Sequence, residues 1–249
     1  MLQNERYSLI YEILQEKGNV SSQYLQKRLF ASEATIRRDL EAMEKQGLLK
    51  RVWGGAMIET VEKDIPSFVR QKANQDKKEK ICAVASRFLK NSMTIFMDSS
   101  TTCLPLVSYI AQLKDITVVT SSLKMSKALS DYTDATIQVL GGQVYESYIL
   151  TGYLTVEAVR EYHADLMFFS CSGISADAGV TSIEPRVIQV VREMMRHTSK
   201  KILLCDSTKI GHNASHLLCG LDTPDHVIMD KRPDAASGLT EALGKRLVV

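Results

Sequence analysis

The sequence predicts an α/β protein in which a small helical N-terminal domain precedes a larger domain built on a mostly parallel sheet. The first 58 residues show apolar positions at helical spacing, followed by two short apolar runs around a Gly-Gly pair. From about residue 81, short continuous apolar segments alternate with helical segments, which is typical of a parallel sheet covered on both faces. We therefore expect domains at 1–58 and 81–249, joined by a polar linker at 59–80.

The N-terminal domain is predicted to contain three helices. The apolar positions of the first helix are Tyr7, Ile10, Tyr11 and Leu14. The second helix begins near the potential N-cap Ser21, and the third begins at the potential N-cap Ser32 and extends to Gln46. Short helices joined by a tight turn in this order indicate a helix-turn-helix.

The third helix separates an apolar stripe from a polar face. Ile36, Leu40 and Met43 recur at helical spacing and would face a core, whereas Arg37 and Arg38 fall away from that stripe. Short polar side chains at a helix N-terminus, followed by two arginines, suit the base edges and phosphates of DNA. A solvated helix face, or a winged helix used for protein contact, would carry the same arginines.

Beyond this helix the sequence predicts a β-hairpin, or wing. Apolar runs at 48–53 and 56–58 flank Gly54 and Gly55, and glycine tolerates the positive φ of a two-residue turn. Lys50 and Arg51 would place positive charge beside the DNA backbone. The residues expected to contact DNA are Ser21, Ser32, Glu33, Ala34, Thr35, Arg37, Arg38, Lys50, Arg51, Gly54 and Gly55.

Two motifs in this segment carry a family resemblance. With TIRRDL at Thr35 to Leu40 and GGA at Gly54 to Ala56, the stretch from Arg6 to Ala56 closely resembles the N-terminal domain of the DeoR family of bacterial transcription regulators. The resemblance implies that the third helix enters the major groove of double-stranded operator DNA. It also implies that the protein controls transcription, and we expect a repressor.

The bulk composition of the chain excludes several classes of protein. The net charge is only +2, so attraction to DNA must come from the placement of a few cations. The five cysteines are odd in number and form no C-x-x-C pair, which favours reduced thiols over a disulfide framework. No apolar run approaches the length of a membrane span, and the N-terminus lacks the apolar core of a signal peptide. We therefore expect a cytoplasmic protein with no membrane partner.

The larger domain is predicted to alternate strands and helices. The predicted strands are Thr94–Met97, Ile116–Thr120, Thr136–Leu140, Leu166–Ser170, Lys201–Cys205 and His226–Met229. The predicted helices include Leu123–Ser130, Leu154–Tyr162, Arg186–His197 and Ala236–Arg246. In a parallel sheet the loops that follow the strands meet at one edge, which is where ligands bind.

Those loops are rich in hydroxyls, glycines and one lysine. They are 98–102, 120–122, 141–142, 172–173 and 206–209. Hydroxyl and backbone N–H donors together with a cation are the groups that hold a phosphate. Each loop taken singly could instead serve only turns and helix caps, but five at one edge favour a site for a phosphorylated ligand.

The region from Glu79 to Val249 also resembles the sensor domain of the same family, which is similar in fold to ribose-5-phosphate isomerase. The resemblance implies that Ser99, Ser100, Thr101 and Thr102 hold the phosphate of a sugar-phosphate effector, that Lys209 adds charge, and that Asp98, Asp177 and Glu184 reach sugar hydroxyls. The remaining expected effector residues are Thr120, Ser121, Gly141, Gly142, Gly152, Ser172 and Gly173. Ser121 and Ser175 depart from the family pattern, and either could alter which sugar is recognised.

Other chemistries have weaker support in the sequence. A sugar-phosphate isomerase could use Asp98, Asp177, Glu184 and Lys209 in catalysis, but an isomerase needs no DNA-reading helix. His212, His216 and Cys219 have tolerable zinc spacing without an evident fourth ligand. We therefore expect no catalytic residues, no metal and no cofactor. Because one such N-terminal domain reads few base pairs, we expect a homodimer or homotetramer.

Overall fold

The computed structural model describes residues 3–58, 67–146 and 148–249. The chain divides into two compact units, Met1–Ala73 and Asn74–Val249. The predicted linker falls partly on residues 59–66, which lie outside the described residues. In the part of the chain that is described, no helix combines the length and the apolar character needed to cross a membrane.

The first unit contains the three predicted helices and an additional short strand and helix. Its elements are α1 (Gln3–Lys17), β1 (Asn19–Ser21), α2 (Ser22–Leu29), α3 (Glu33–Lys45), β2 (Lys50–Val52), β3 (Gly55–Met57) and α4 (Ser67–Lys72). Both predicted N-caps are confirmed, because Ser21 accepts the N–H of Tyr24 and Ser32 accepts the N–H of Thr35. Between α2 and α3, Phe30 is exposed and adopts a left-handed conformation with φ of 51°.

A buried ion pair joins α1 to α3 beneath the apolar core of this unit. Arg6 donates from Nε to Asp39 Oδ2 at 2.6 Å and from Nη2 to Oδ1 at 3.0 Å. The Asp39 side chain is 3% exposed and that of Arg6 is 16% exposed. The aspartate of the TIRRDL motif therefore faces the interior and fixes the position of α3.

The wing hairpin of β2 and β3 pairs with β1, which gives a three-stranded antiparallel sheet in the order β1-β3-β2. The prediction that Gly54 and Gly55 are the two turn residues is wrong. The turn consists of Trp53 and Gly54, with Gly54 at a φ of +78°, and Gly55 already belongs to β3. A Cβ at Gly55 would collide with the carbonyl oxygen of Val20 on β1, so this glycine permits the close approach of two strands.

The second unit alternates helices and strands. Its elements are α5 (Gln75–Ala85), β4 (Thr94–Met97), α6 (Val107–Ile110), β5 (Thr117–Thr120), α7 (Leu123–Tyr132), β6 (Thr136–Val139), β7 (Gln143–Tyr145), β8 (Ile149–Thr151), α8 (Tyr153–Val159), β9 (Ala164–Phe169), β10 (Gly173–Ser175), β11 (Gly179–Ser182), α9 (Pro185–Arg196), β12 (Thr198–Cys205), β13 (His216–Cys219), β14 (His226–Met229), α10 (Leu239–Leu243) and β15 (Leu247–Val248).

Seven parallel strands form the central sheet in the order β15-β14-β12-β9-β4-β5-β6. Buried residues line both of its faces, with Phe96 and Phe169 on one and Ile95 and Phe168 on the other. On one side of β4 lie β5 and β6. On its other side lie β9, β12, β14 and β15. The strand order therefore reverses between β4 and β9, and ligands in open α/β sheets bind at the carboxyl ends of strands beside such a reversal.

Two smaller sheets and one broken helix were not predicted. β7 and β8 form a hairpin, while β10, β11 and β13 form an antiparallel sheet. The helix predicted over Ala236–Arg246 is wrong in its extent, because α10 spans five residues between short 3₁₀ turns. Gly238 and Gly244 take positive φ at its two ends, which interrupts the regular helix.

Candidate functional site

The N-terminal turn of α3 presents a polar surface. Ser32, Glu33 and Ala34 are exposed, and the Ser32 hydroxyl lies 2.8 Å from that of Thr35. One turn later, Arg37 and Arg38 are exposed on the side opposite the buried stripe of Ile36, Leu40 and Met43. The residues named in this segment thus share one accessible surface, with the free N–H groups of the helix at its end.

Glu41 links α3 to the wing. Its carboxylate lies 3.2 Å from Arg37 Nε and 3.1 Å from Arg51 Nη1, so one acidic side chain contacts a cation on each element. The Arg37 hydrogen bond lowers the pKa of Glu41, which keeps the carboxylate ionised. On the wing, the N–H of Arg51 also donates to Glu44 Oε1 at 2.7 Å. Sequence reasoning missed Glu41 because its role depends on Arg51, which lies on another element.

In the second unit, Asp98 spans the reversal of strand order. It follows β4 directly, and its two carboxylate oxygens accept the N–H groups of Ser100 and Ser170, each at 2.9 Å. Burial raises the pKa of Asp98, while these hydrogen bonds act in the opposite direction. Asp98 therefore fixes the backbone of the loop after β4 against the end of β9.

Two lysines converge on the hydroxyls of that loop. Lys209 Nζ donates to Ser170 Oγ at 2.9 Å and to Thr102 Oγ1 at 3.3 Å. From α5, Lys78 Nζ donates to Thr101 Oγ1 at 3.2 Å, although the residue is only 4% exposed. Two ammonium groups beside adjacent buried hydroxyls form an arrangement suited to an anion.

Asp206 balances this positive charge. Burial alone would raise the pKa of its carboxyl, but Lys209, hydrogen bonds from Thr208 and the nearby charge of Lys78 hold that pKa below its usual value. Lys209 Nζ lies 3.5 Å from an Asp206 oxygen. Sequence reasoning placed Asp206 in the fifth loop without assigning it a role. It missed Lys78, which falls within the polar linker predicted at 59–80.

The loops after β5 and β6 are shaped mainly by their own hydrogen bonds. Thr120 Oγ1 accepts the N–H of Ser122, and the carbonyl of the buried Ser121 accepts the N–H of Leu150 on β8. The Thr155 hydroxyl donates to the carbonyl of Gly141 at 2.7 Å. A Cβ at Gly142 would collide with that same hydroxyl. Gly152, with a φ of +95°, precedes α8.

The remaining predicted effector residues lie in the antiparallel sheet and beside α9. The N–H of Ser172 donates to the carbonyl of Thr181, and Gly173 permits the close approach of the His212 carbonyl. Asp177 is exposed in the turn between β10 and β11, where the Ser175 hydroxyl accepts the N–H of Ala178.

Glu184 begins α9 and has its own cationic partner. Its carboxylate accepts the backbone N–H of Arg186 and lies 2.6 Å from that residue's Nε. The contact with Arg186 lowers the pKa of Glu184. The structure thus brings Asp98, Thr101, Thr102 and Lys209 together with Ser170 and Lys78. Glu184 pairs instead with Arg186, and Asp177 lies exposed in the turn between β10 and β11.

The histidines and cysteines do not assemble a metal site in the described parts of the chain. Across residues 3–58, 67–146 and 148–249, no three or more His, Cys, Asp or Glu side chains are grouped so that they could hold a metal ion. His216 and Cys219 stand at the two ends of β13. The five cysteines are all free and buried.

The fold, the polar surface of α3 and the cluster around Lys78 and Lys209 define a class. It is a winged helix-turn-helix unit joined to a parallel α/β unit of sensor type. Comparison with family models agrees with this class. The DeoR-like helix-turn-helix domain matches residues 6–62, and the DeoR C terminal sensor domain matches residues 73–231. The chain belongs to the DeoR family and is a DNA-binding transcription regulator with a C-terminal sensor domain.

Similar proteins match over nearly the full length. The chain is 31% identical to the HTH-type transcriptional regulator GolR of Listeria innocua over 93% of this chain and 92% of the relative. It is 29% identical to the HTH-type transcriptional repressor GlcR of Bacillus subtilis over 95% and 92% of the two chains. Identity to the glycerol-3-phosphate regulon repressor of Escherichia coli is 25% over 94% and 93%.

The chain also matches solved structures. The tetrameric eIF2B-beta2-delta2 complex from C. thermophilum matches with a TM-score of 0.50 at 10% identity, over 98% of this chain and 88% of that chain. Ribose 5-phosphate isomerase A from Methanocaldococcus jannaschii matches with a TM-score of 0.41 at 15% identity, over 55% of each chain.

Proposed function

We propose that this protein is a cytoplasmic repressor whose binding to operator DNA is controlled by a phosphorylated sugar or a related phosphorylated metabolite. The single observation that carries the effector class is the convergence of Lys78 and Lys209 on the hydroxyls of Thr101 and Thr102. This cluster lies at the carboxyl edge where the strand order reverses. A dianionic phosphate would accept hydrogen bonds from these hydroxyls and pair with both ammonium groups, of which Lys209 also contacts Asp206.

The name of one relative supports a phosphorylated effector. One of them is named as the repressor of a glycerol-3-phosphate regulon, so a phosphate ester is named in the function of a similar protein. Within the proposed site, Ser99, Ser100, Thr101 and Thr102 would surround the phosphate. The loops at Thr120–Ser122 and Gly141–Gly142 would line the side toward the remainder of the ligand.

The carboxylates considered for catalysis support a binding role over isomerisation. Isomerisation requires a carboxylate that is placed beside the substrate carbon and can take up a proton there. Both oxygens of Asp98 accept backbone N–H groups, Glu184 pairs with Arg186, and Asp177 is exposed in the turn between β10 and β11. These contacts favour carboxylates that organise the loops, and we propose no reaction for this chain.

Lys78 also suggests how an effector would influence DNA binding. It lies on α5, the first helix of the second unit, close in sequence to the boundary between the units. A phosphate that binds Lys78 would bias the position of α5, and with it one interdomain or intersubunit arrangement over another. The effector then controls DNA binding only if it prefers one arrangement in free energy.

The proposed DNA contacts are the exposed residues of the α3 N-terminal turn, Arg37 and Arg38, and the wing residues Lys50 and Arg51. A homodimer or homotetramer would place several such surfaces on repeated half-sites. Selection of bound duplexes from a random library by the full-length protein tests DNA binding directly. Replacing Arg37 or Arg38 by Ala should reduce the slope of log affinity against log salt by about one if the arginine meets phosphate. Lys114→Ala in the second unit is the matched control.

A thermal-shift screen of sugar phosphates and of the matching unphosphorylated sugars tests the effector class. A ligand held at about a hundred times its Kd should stabilise the protein by about 2.7 kcal/mol. Lys209→Gln and Lys78→Met should abolish that stabilisation, whereas Lys200→Gln, at an exposed position, should retain it. Stabilisation by the unphosphorylated sugars, or full stabilisation of both pocket variants, would contradict the assignment. Product formed from a sugar phosphate would instead support the isomerase alternative.

A further inference from the structure

The wing ends in an exposed apolar tip that the fold does not require. Trp53 is the only tryptophan in the chain, and its side chain is fully exposed in the turn between β2 and β3. Val52 beside it is 43% exposed, whereas the similarly exposed Met57 lies opposite Lys50 at the other end of the hairpin. The turn depends on the positive φ of Gly54, so many other residues could occupy position 53. Two adjacent large apolar side chains exposed at a hairpin turn indicate a surface that contacts something else.

Charge around this tip indicates what that partner is. Lys50 and Arg51 are exposed on β2, immediately before the apolar residues. Arg37 on α3 is joined to Arg51 on β2 through the Glu41 bridge, so cations of both elements meet where the wing contacts α3. A duplex DNA groove has the complementary pattern, because its rims carry phosphates while its interior presents deoxyribose and base edges.

We propose that the Trp53 indole enters the minor groove of the operator as an apolar wedge, with Val52 beside it, while Lys50 and Arg51 contact the flanking phosphates. Apolar side chains used in this way partly unstack a base step and bend the duplex. Pyrimidine–purine steps unstack most easily, so the operator should carry TA or CA/TG steps beneath each wing. This inference rests on the proposed DNA-binding function of the first unit.

The single tryptophan provides a direct test in the unmodified full-length protein. The probe is a fluorescein-labelled duplex recovered by the library selection, and binding is followed by fluorescence anisotropy. Quenching of the indole by acrylamide is then measured with and without a saturating amount of the unlabelled duplex. We expect the quenching constant to fall several-fold when DNA binds, because the groove shields the indole. An unchanged quenching constant at demonstrated saturation would overturn the proposal.

Substitutions separate this inference from the proposed function. Trp53→Ala should weaken binding of the duplex about tenfold, which corresponds to about 1.4 kcal/mol, without lowering Tm. Trp53→Phe should recover most of that affinity. Tyr132→Ala, which truncates another exposed aromatic residue, should bind as the parent does. If the parent binds the duplex and Trp53→Ala binds it equally well, the wedge is excluded while DNA binding stands. If no duplex is recovered, both fail.

Discussion

The ion pair between Arg6 and Asp39 allows a quantitative test of how α3 is held in place. Two hydrogen bonds of 2.6 and 3.0 Å join the side chains, and the carboxylate is almost completely buried. Removing one partner from a buried ion pair costs about 3–5 kcal/mol. Because Arg6 retains some contact with solvent, we expect Asp39→Ala to reduce the free energy of unfolding of the first unit by about 3 kcal/mol.

Differential scanning calorimetry of the full chain measures this loss. For a domain of this size, 1 kcal/mol corresponds to about 4–8 °C, so the Tm of the first unit should fall by at least about 12 °C. Asp131→Ala is the control, since it removes an i,i+4 contact with Lys127 that is exposed to solvent. Such a pair contributes no more than about 0.5 kcal/mol.

A double-mutant cycle identifies the interaction responsible. Arg6→Ala and the double variant complete the cycle, and two residues in direct contact show coupling of about 0.5–3 kcal/mol. We expect a value in the upper half of that range because both bonds are charge-assisted. A coupling energy near zero, or an Asp39→Ala protein with the parental Tm, would refute the argument.

Two further predictions concern backbone positions in the first unit. Gly55→Ala should destabilise it by about 2 kcal/mol, since the new Cβ would meet the backbone of β1. Gly54→Ala adds its Cβ in open space, so it should lower the free energy of unfolding by only about 1 kcal/mol, the strain of a left-handed residue. Equal urea midpoints for the two variants would contradict this. Phe30→Gly should raise the free energy of unfolding by about 0.5 kcal/mol, because relief of the left-handed strain exceeds the added entropy of the unfolded chain. A urea titration in which Phe30→Gly unfolds earlier than Phe30→Ala would show that this strain is absent.

The central strands could be predicted because their signal is local. A buried parallel strand is a short continuous apolar run, and Thr94–Met97 and His226–Met229 have the predicted bounds. The convergence of loops at one edge then follows from parallel topology alone. The small sheets could not be predicted in the same way. β11 and β13 pair across a long stretch of chain, and their strands are only four residues each.

The parts of the candidate site that escaped prediction depend on contacts between distant residues. Lys78 belongs to a run of charges that would ordinarily be solvated, and only the position of Thr101 after β4 explains its burial. Asp39 stands beside two exposed arginines, and its interior role depends on Arg6 on another helix. Gly55 adopts no unusual φ, so its purpose becomes visible only when Val20 lies against it. In each case the deciding partner is more than twenty residues away.

The bridging carboxylate of Glu41 has a consequence for the thermodynamics of association. Long arginine side chains lose rotamer freedom when they are immobilised in an interface, at about 0.5–1.5 kcal/mol each. Because Arg37 and Arg51 already share one acidic partner, part of this rotamer entropy is lost when the protein folds, before it meets a binding partner. The Glu41 carboxylate weakens the electrostatic attraction of this surface to a polyanion. It also restricts the conformations of two flexible arginine side chains. In the proposed DNA interface, such preorganisation would favour cognate over random sequences, because restricted side chains cannot adjust to phosphates in other positions.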